Sequence, residues 1–153
     1  MPGKIDARLR ELGETLPAAP APAANYVPFV RSGSLVFVSG QLSIGPDGVI
    51  KGVLGADMDV EAGAQAAKRC ALNLIAQVRA ACDGDLDRVV RVVKLTAFVN
   101  SAPGFGDQPK VVNGASDFFV AVFGDKGRHS RAAVGASLPF GAAVEIEGVF
   151  EVA

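Results

Sequence analysis

Four apolar residues in a row, Leu35 to Val38, sit inside the segment YVPFVRSGSLVFVSGQL (26–42). Such a run suits a strand buried on both faces, and the turn residues Arg31–Ser34 divide the segment into two strands. GPDG (45–48) is a turn, and VIKGVLG after it reads as a third strand. From Val60 to about Cys82 the period becomes helical. Val60, Ala64, Ala67, Ala71, Leu74, Ile75 and Val78 share one face, while Gln65, Lys68, Arg69 and Gln77 lie off it. Asp57 or Asp59 can cap the start and Gly84 the end. VVRVVKLTAFV (89–99) is long and β-branched, a central strand. The loop NSAPGFGDQPK (100–110) leads to a second helix over 111–123, with Val112, Ala115, Phe119 and Val122 inward and Gly124 as its stop. Strands over about 131–138 and 143–152 close the chain. At the other end, Ile5, Leu9 and Leu12 share a face of a short helix over 4–13, and TLPAAPAPAA (15–24) reads as an extended connector.

The order βββ-α-β-α-ββ predicts an α+β domain over 25–153 with a six-stranded mixed sheet, preceded by the helix and Pro/Ala-rich connector of 1–24. Two helices cover one face of such a sheet, so the other face needs a different cover.

Composition sharpens this. Half of the 153 residues are hydrophobic, and mean hydropathy is +0.32. That is rich for a lone domain and points to surface buried against further copies of the chain. Net charge is −1 with no Lys/Arg cluster, so the electrostatic footprint of a nucleic-acid binder is missing. Cys70 and Cys82 fall on one predicted helix, about 18 Å apart at ~1.5 Å rise per residue, beyond disulfide reach. Two free thiols fit a reducing, cytoplasmic setting. One His and no CxxC argue against a His/Cys metal site. With no long apolar run and no leader-like h-region, neither a membrane span nor a signal peptide is expected.

Candidate chemistry lies in HSRAAVGASLPFGAAVEIEG (129–148), where one arginine and two glutamates interrupt sheet-like sequence. In 131–138, Ala132, Val134, Ala136 and Leu138 form the apolar set, opposite Arg131, Ala133, Gly135 and Ser137. In 143–152, Val144, Ile146 and Phe150 oppose Glu145, Glu147 and Glu151. If the apolar sets face the helices, Arg131 and Glu145 share the helix-free face, with LPFGAA turning a hairpin between their strands. A cross-strand ion pair on a wet face would explain this pattern. So would a carboxylate site, since Ala133 and Gly135 leave open space beside the guanidinium. His129 reads as polar loop surface.

SRAAVGASLP followed by AVEIEG resembles the C-terminal signature of the RidA/YjgF family, the reactive-intermediate imine deaminases, also labelled endoribonuclease L-PSP-like. VFVSGQL (36–42), VVKLTAFV (92–99) and VVNGASDFF (111–119) are similar to its other blocks, in the same order, so the resemblance spans roughly 24–152. It implies a chorismate-mutase-like fold and a homotrimer with clefts between subunits. It implies hydrolysis of enamine or imine intermediates, such as 2-aminoacrylate, to 2-keto acids and ammonia, with no cofactor or metal. Arg131 would grip the substrate carboxylate and Glu145 would orient or deprotonate water. Tyr26, Ser39 and Asn113 would line the pocket, and backbone amides around Arg131 and Ala133 would help hold the carboxylate. A non-catalytic trimer binding a small carboxylate, or an endoribonuclease, are the other functions compatible with the family; the charge balance disfavours the last.

Several features depart from the resemblance: the extension 1–24, a longer loop 100–110, and Ala133 where many members have cysteine. Arg131 to Leu138 is also one residue shorter than usual, and a one-residue slip turns strand side chains to the other face unless a bulge absorbs it.

Overall fold

The computed structural model describes residues 3–21 and 24–153, so Pro22 and Ala23 of the expected connector lie outside the described residues. The elements are α1 (Lys4–Glu11), β1 (Phe29–Ser32), β2 (Leu35–Leu42), β3 (Ile44–Gly45), β4 (Gly48–Val49), α2 (Val60–Ala81), β5 (Val89–Asn100), α3 (Gln108–Phe123), β6 (Ser130–Ala136) and β7 (Val144–Val152). The fold is α+β, as the patterning implies. The main sheet, however, has five strands in the order β1-β2-β7-β5-β6, and β3 and β4 form a separate two-stranded ribbon. VIKGVLG does not become a sixth strand. Past Val49 it makes only isolated bridges, Lys51 to Ala142 and Leu54 to Met58 and Ser101.

β7 pairs antiparallel with both β2 and β5, which places it mid-sheet. β6 pairs with β5 alone, in parallel, from Lys94↔Ser130 to Asn100↔Ala136. The expected hairpin between the last two strands is therefore absent. The short turn Pro139–Gly141 instead carries the chain past the end of β5. A cross-strand ion pair between Arg131 and Glu145 is excluded with it.

α2 and α3 pack on one face of the sheet and against each other. Asp59 caps α2 by accepting from the Ala62 amide at 2.8 Å. Every residue of α2 from Cys70 to Val78 is buried, so the helix has a polar flank only near its ends. Gln77, expected off the apolar face, is buried too, and its Nε2 donates to the Pro20 carbonyl at 2.6 Å. Asn73 is likewise buried and donates to the carbonyls of Leu42 (3.2 Å) and Ile44 (3.0 Å). α3 begins at Gln108, earlier than the apolar pattern suggests, because Pro109 fits the first turn of a helix. Gly114 allows α3 to touch α2: a Cβ at this position would run into the Ala64 carbonyl.

Within its described residues the N-terminal extension is tied to the domain at several points. Asp87 accepts from the amides of Lys4 (2.9 Å) and Ile5 (3.0 Å), serving as a cap for α1 from 82 or more residues away. Those two bonds hold the Asp87 carboxyl below its ordinary pKa. Leu9 is buried in the main core, Arg8 Nε donates to the Ala121 carbonyl at 2.8 Å, and Glu14 pairs with Lys68.

No described element covers the helix-free face. Leu35–Val38 is not buried on both sides: Val36 and Val38 face the helices, while Phe37 is 45% exposed. Val30, opposite Phe37, and Val134, opposite Phe98, are about half exposed on the same face. No helix among the described residues is long and apolar enough to cross a membrane. Cys70 and Cys82 are buried free thiols.

Two outcomes test this packing. Gly114→Ala should destabilise the protein by ~1–3 kcal/mol, the usual cost of forcing atoms into a filled contact, read as a lower urea midpoint. Asp87→Ala should cost ~1 kcal/mol, the typical worth of a helix cap, and speed amide exchange in 4–11 ahead of the rest of the chain. Because the Asp87 pKa is depressed, the cap is present above the ordinary carboxylate range and should be lost as acid protonates that group.

Candidate active site

The ladder between β5 and β6 decides where Arg131 points. Leu95 is opposite Arg131, Ala97 opposite Ala133 and Val99 opposite Gly135. Leu95, Ala97 and Val99 are fully buried against the helices. Residues opposite one another in a ladder share a face, so Arg131, Ala133 and Gly135 look toward the helical layer. Ala132 and Val134 look away from it. The expectation that Ala132, Val134 and Ala136 would face the helices is thus inverted.

At this edge α3 supplies the partners for Arg131. Its Nη1 donates to Ser116 Oγ at 2.9 Å and its Nη2 to the Pro109 carbonyl at 3.1 Å. A guanidinium has about five N–H donors, so three remain to meet a ligand. Asn113, Ser116, Asp117 and Val120 recur at helical spacing along α3. With Arg128, His129 and Arg131 they line an open pocket of about 250 Å³. Ser116 Oγ also lies 2.9 Å from His129 Nε2, and His129 Nδ1 lies 2.6 Å from the Gly127 carbonyl. The imidazole packs edge-on to Phe119, with ring centroids 5.9 Å apart. Burial pushes the pKa of His129 below its ordinary 6.5; the Gly127 carbonyl opposes this and the charge of Arg131 adds to it. His129 is a half-buried participant here, not the loop surface residue its sequence context suggests.

Glu145 belongs to a second cluster. It is opposite Phe98 on β5 and Leu42 on β2, on the helix-free face, alternating with the buried Val144 and Ile146. The ladder between β2 and β7 shifts register between Val38 and Gln41. Ser39 sits in that irregularity. Its amide donates to the Pro28 carbonyl at 2.9 Å and its Oγ to the Val27 carbonyl at 2.8 Å, tying the segment that carries Tyr26 onto β2. Tyr26, Pro28, Gly40 and Gln41 border a narrow pocket of about 50 Å³. Gly40 makes room for the carboxylate, since a Cβ there would lie 2.9 Å from Glu145 Oε2. Partial burial raises the pKa of Glu145 above 4.5, and repulsion from Glu147 raises it further.

The candidate residues therefore fall into two groups. Arg131, Asn113 and Ala133 lie at the β6 edge on the helical side; Glu145, Tyr26 and Ser39 lie around β2 and β7. Arg131 and Glu145 do not share a face. Their strands are two ladder steps apart, about 10 Å at 4.8 Å per step, with the sheet itself between the side chains. Side-chain direction on β6 follows its register with β5 and not the apolar pattern of the edge strand. Ser116 and His129 do not stand out as site residues in the sequence. The signal that could have found Ser116 is its helical spacing from Asn113.

With this fold and these two clusters, residues 6–143 match the model of the YjgF/chorismate mutase-like, putative endoribonuclease family, and the chain belongs to that family. It is 54% identical to Protein TCP17 of Trypanosoma cruzi over 97% of this chain and 94% of that protein. The crystal structure of Atu1372 from Agrobacterium tumefaciens is 50% identical, with a TM-score of 0.91 over 97% of this chain and 92% of that one. The structure of Escherichia coli TdcF with bound serine is more distant, 25% identical with a TM-score of 0.61 over 88% of this chain and 94% of that one.

The environment of Glu145 can be checked directly. Its carboxyl should titrate above 4.5 by carbon-detected NMR, and Glu147→Gln should bring the midpoint down by removing the neighbouring charge. A midpoint at or below 4.5 in the folded wild type would contradict the placement described.

Proposed function

We propose that the chain hydrolyses reactive enamine or imine intermediates of the 2-aminoacrylate type to 2-keto acids and ammonia, in a cleft completed by a second copy within a homotrimer. The observation that carries this is the division of the candidate groups. Each protomer has an anchored guanidinium with free donors on one face of its sheet and a carboxyl of raised pKa on the other. Arg131 of one copy meets Glu145, Tyr26 and Ser39 of the next. The exposed apolar face with Val30, Phe37 and Val134 supports association, and the serine bound to TdcF is a ligand with the carboxylate such a cleft would take.

The chemistry asks for positioning more than for force. Arg131, with Asn113 and backbone amides near Ala133, holds the substrate carboxylate. An enamine substrate first takes a proton from solvent at its methylene carbon, and the carbon of the resulting protonated imine is already electrophilic. Glu145 takes a proton from water as its oxygen bonds to that carbon, the C=N bond becoming a C–N single bond. Glu145 then gives that proton to nitrogen, and as the C–N bond breaks and ammonia leaves, the regenerated carboxylate takes the hydroxyl proton and the carbonyl forms. A carboxyl whose pKa sits above the usual range is better matched to accepting and returning a proton near neutrality.

The test generates 2-aminoacrylate in situ and follows its loss. Wild type should accelerate it, while Arg131→Ala and Glu145→Gln should each lose about 100-fold or more, the scale of a missing acid–base or positioning group. Co-expressing the two variants should restore activity, since about one cleft in four of a random mixture joins an intact arginine to an intact glutamate across a heterologous interface. No acceleration by wild type would sink the deaminase assignment. Loss in the single variants without recovery in the mixture would refute the split site. Carboxylate binding that needs Arg131 but not Glu145, without turnover, would leave a small-carboxylate binder instead. Cleavage of single-stranded RNA that depends on Arg131 would favour the endoribonuclease named for the family.

A further inference from the structure

Gly127, His129, Ser116 and Arg131 are joined end to end by hydrogen bonds, and every donor in the chain is determined. The Gly127 carbonyl can only accept, so the 2.6 Å contact puts a proton on His129 Nδ1. With its pKa below 6.5 the ring is neutral at pH 7.5, which leaves Nε2 bare. Nε2 accepts the Ser116 hydroxyl proton across 2.9 Å. The oxygen of Ser116 is then turned so that its lone pairs face Arg131, whose Nη1 donates to it at 2.9 Å. The Pro109 carbonyl fixes the second nitrogen, Nη2. Without His129 the hydroxyl proton loses this acceptor, and the orientation in which the serine oxygen faces Arg131 is no longer fixed.

We propose that Ser116 and His129 are positioning residues for Arg131: the neutral imidazole orients the serine hydroxyl, and the serine holds the guanidinium with its free donors facing the pocket between α3 and β6. This rests on the carboxylate-binding role of Arg131. A guanidinium already held in place loses less freedom when a carboxylate docks. The arrangement also gives His129 a use that imine hydrolysis itself does not require. Its edge-on contact with Phe119 keeps the ring in plane for both hydrogen bonds.

The experiment measures 2-oxobutyrate binding by calorimetry at pH 7.5 and, without ligand, the NMR signals of the Arg131 guanidinium. His129→Phe keeps an aromatic ring against Phe119 but removes the acceptor, and Ser116→Ala removes the hydroxyl. Each should weaken binding about tenfold, the scale of one charge-assisted hydrogen bond. Each should also merge the separate Nη proton signals that a pinned guanidinium shows. His129→Gln, whose amide oxygen can accept the same hydroxyl proton, should bind within about threefold of wild type and keep those signals separate. The double variant His129→Phe with Ser116→Ala should bind no worse than Ser116→Ala alone, because both act through one chain. Urea midpoints of all variants identify any that fail to fold. Averaged Nη signals in wild type, or His129→Phe and Ser116→Ala binding as wild type while Arg131→Ala does not bind, overturn the positioning role and leave the arginine's role standing. Wild-type binding retained in Arg131→Ala overturns both.

Discussion

One pairing governs the rest of the site: Leu95 lies opposite Arg131 in a parallel ladder. β5 is twelve residues long and pairs on both sides, with β7 on one flank and β6 on the other. β7 also pairs with β2, so both edges of β7 are occupied and β6 is left at the rim of the sheet. Once β6 takes its register from β5, the buried side of β5 dictates which residues of β6 turn inward. An arginine at the inward position cannot enter the apolar core, and at the rim it need not. Its guanidinium meets the polar side of α3, where a hydroxyl and a helix-start carbonyl accept from it.

The two clusters depend on small residues as much as on charged ones. Gly40 leaves space that the Glu145 carboxylate occupies, and Gly114 lets α3 lie close to α2. That contact fixes where the face bearing Asn113 and Ser116 meets β6. A side chain at Gly40 would press directly on the Glu145 carboxylate, and one at Gly114 would shift Asn113 and Ser116 without touching them. Glu145 itself stands at the border of burial. It is dry enough for its pKa to rise, yet exposed enough that the cost of its charge is screened by solvent.

Much of this was legible in the sequence, for a physical reason. Helix period and strand runs report burial, and burial is local: α2, the core of α3, β5 and the spans of the last two strands lie close to where the apolar pattern puts them. Strand pairing is not local. A turn-like LPFGAA suggests a hairpin, but β5 and β2 outcompete β6 for the edges of β7. The face of β6 is not legible in its sequence, because this edge strand carries small apolar residues on both sides and Ala132 and Ala133 give no direction. Gln77 reads as surface in the sequence because a buried amide looks polar until the Pro20 carbonyl is brought beside it. Ser116 and His129 escaped for a similar cause. They are thirteen residues apart in the chain, and only the return of β6 along α3 makes them neighbours.

Cys70 is buried on α2, with its Sγ donating to the Val144 carbonyl at 3.4 Å, one residue before Glu145. Burial raises its pKa well above that of a free thiol, and the nearby Glu145 charge adds to the rise, so it is unreactive while the helix rests on the sheet. Its modification by an alkylating reagent therefore becomes a clock for how often α2 lifts away from β7. The protein carries its own gauge of breathing, placed directly behind the carboxylate.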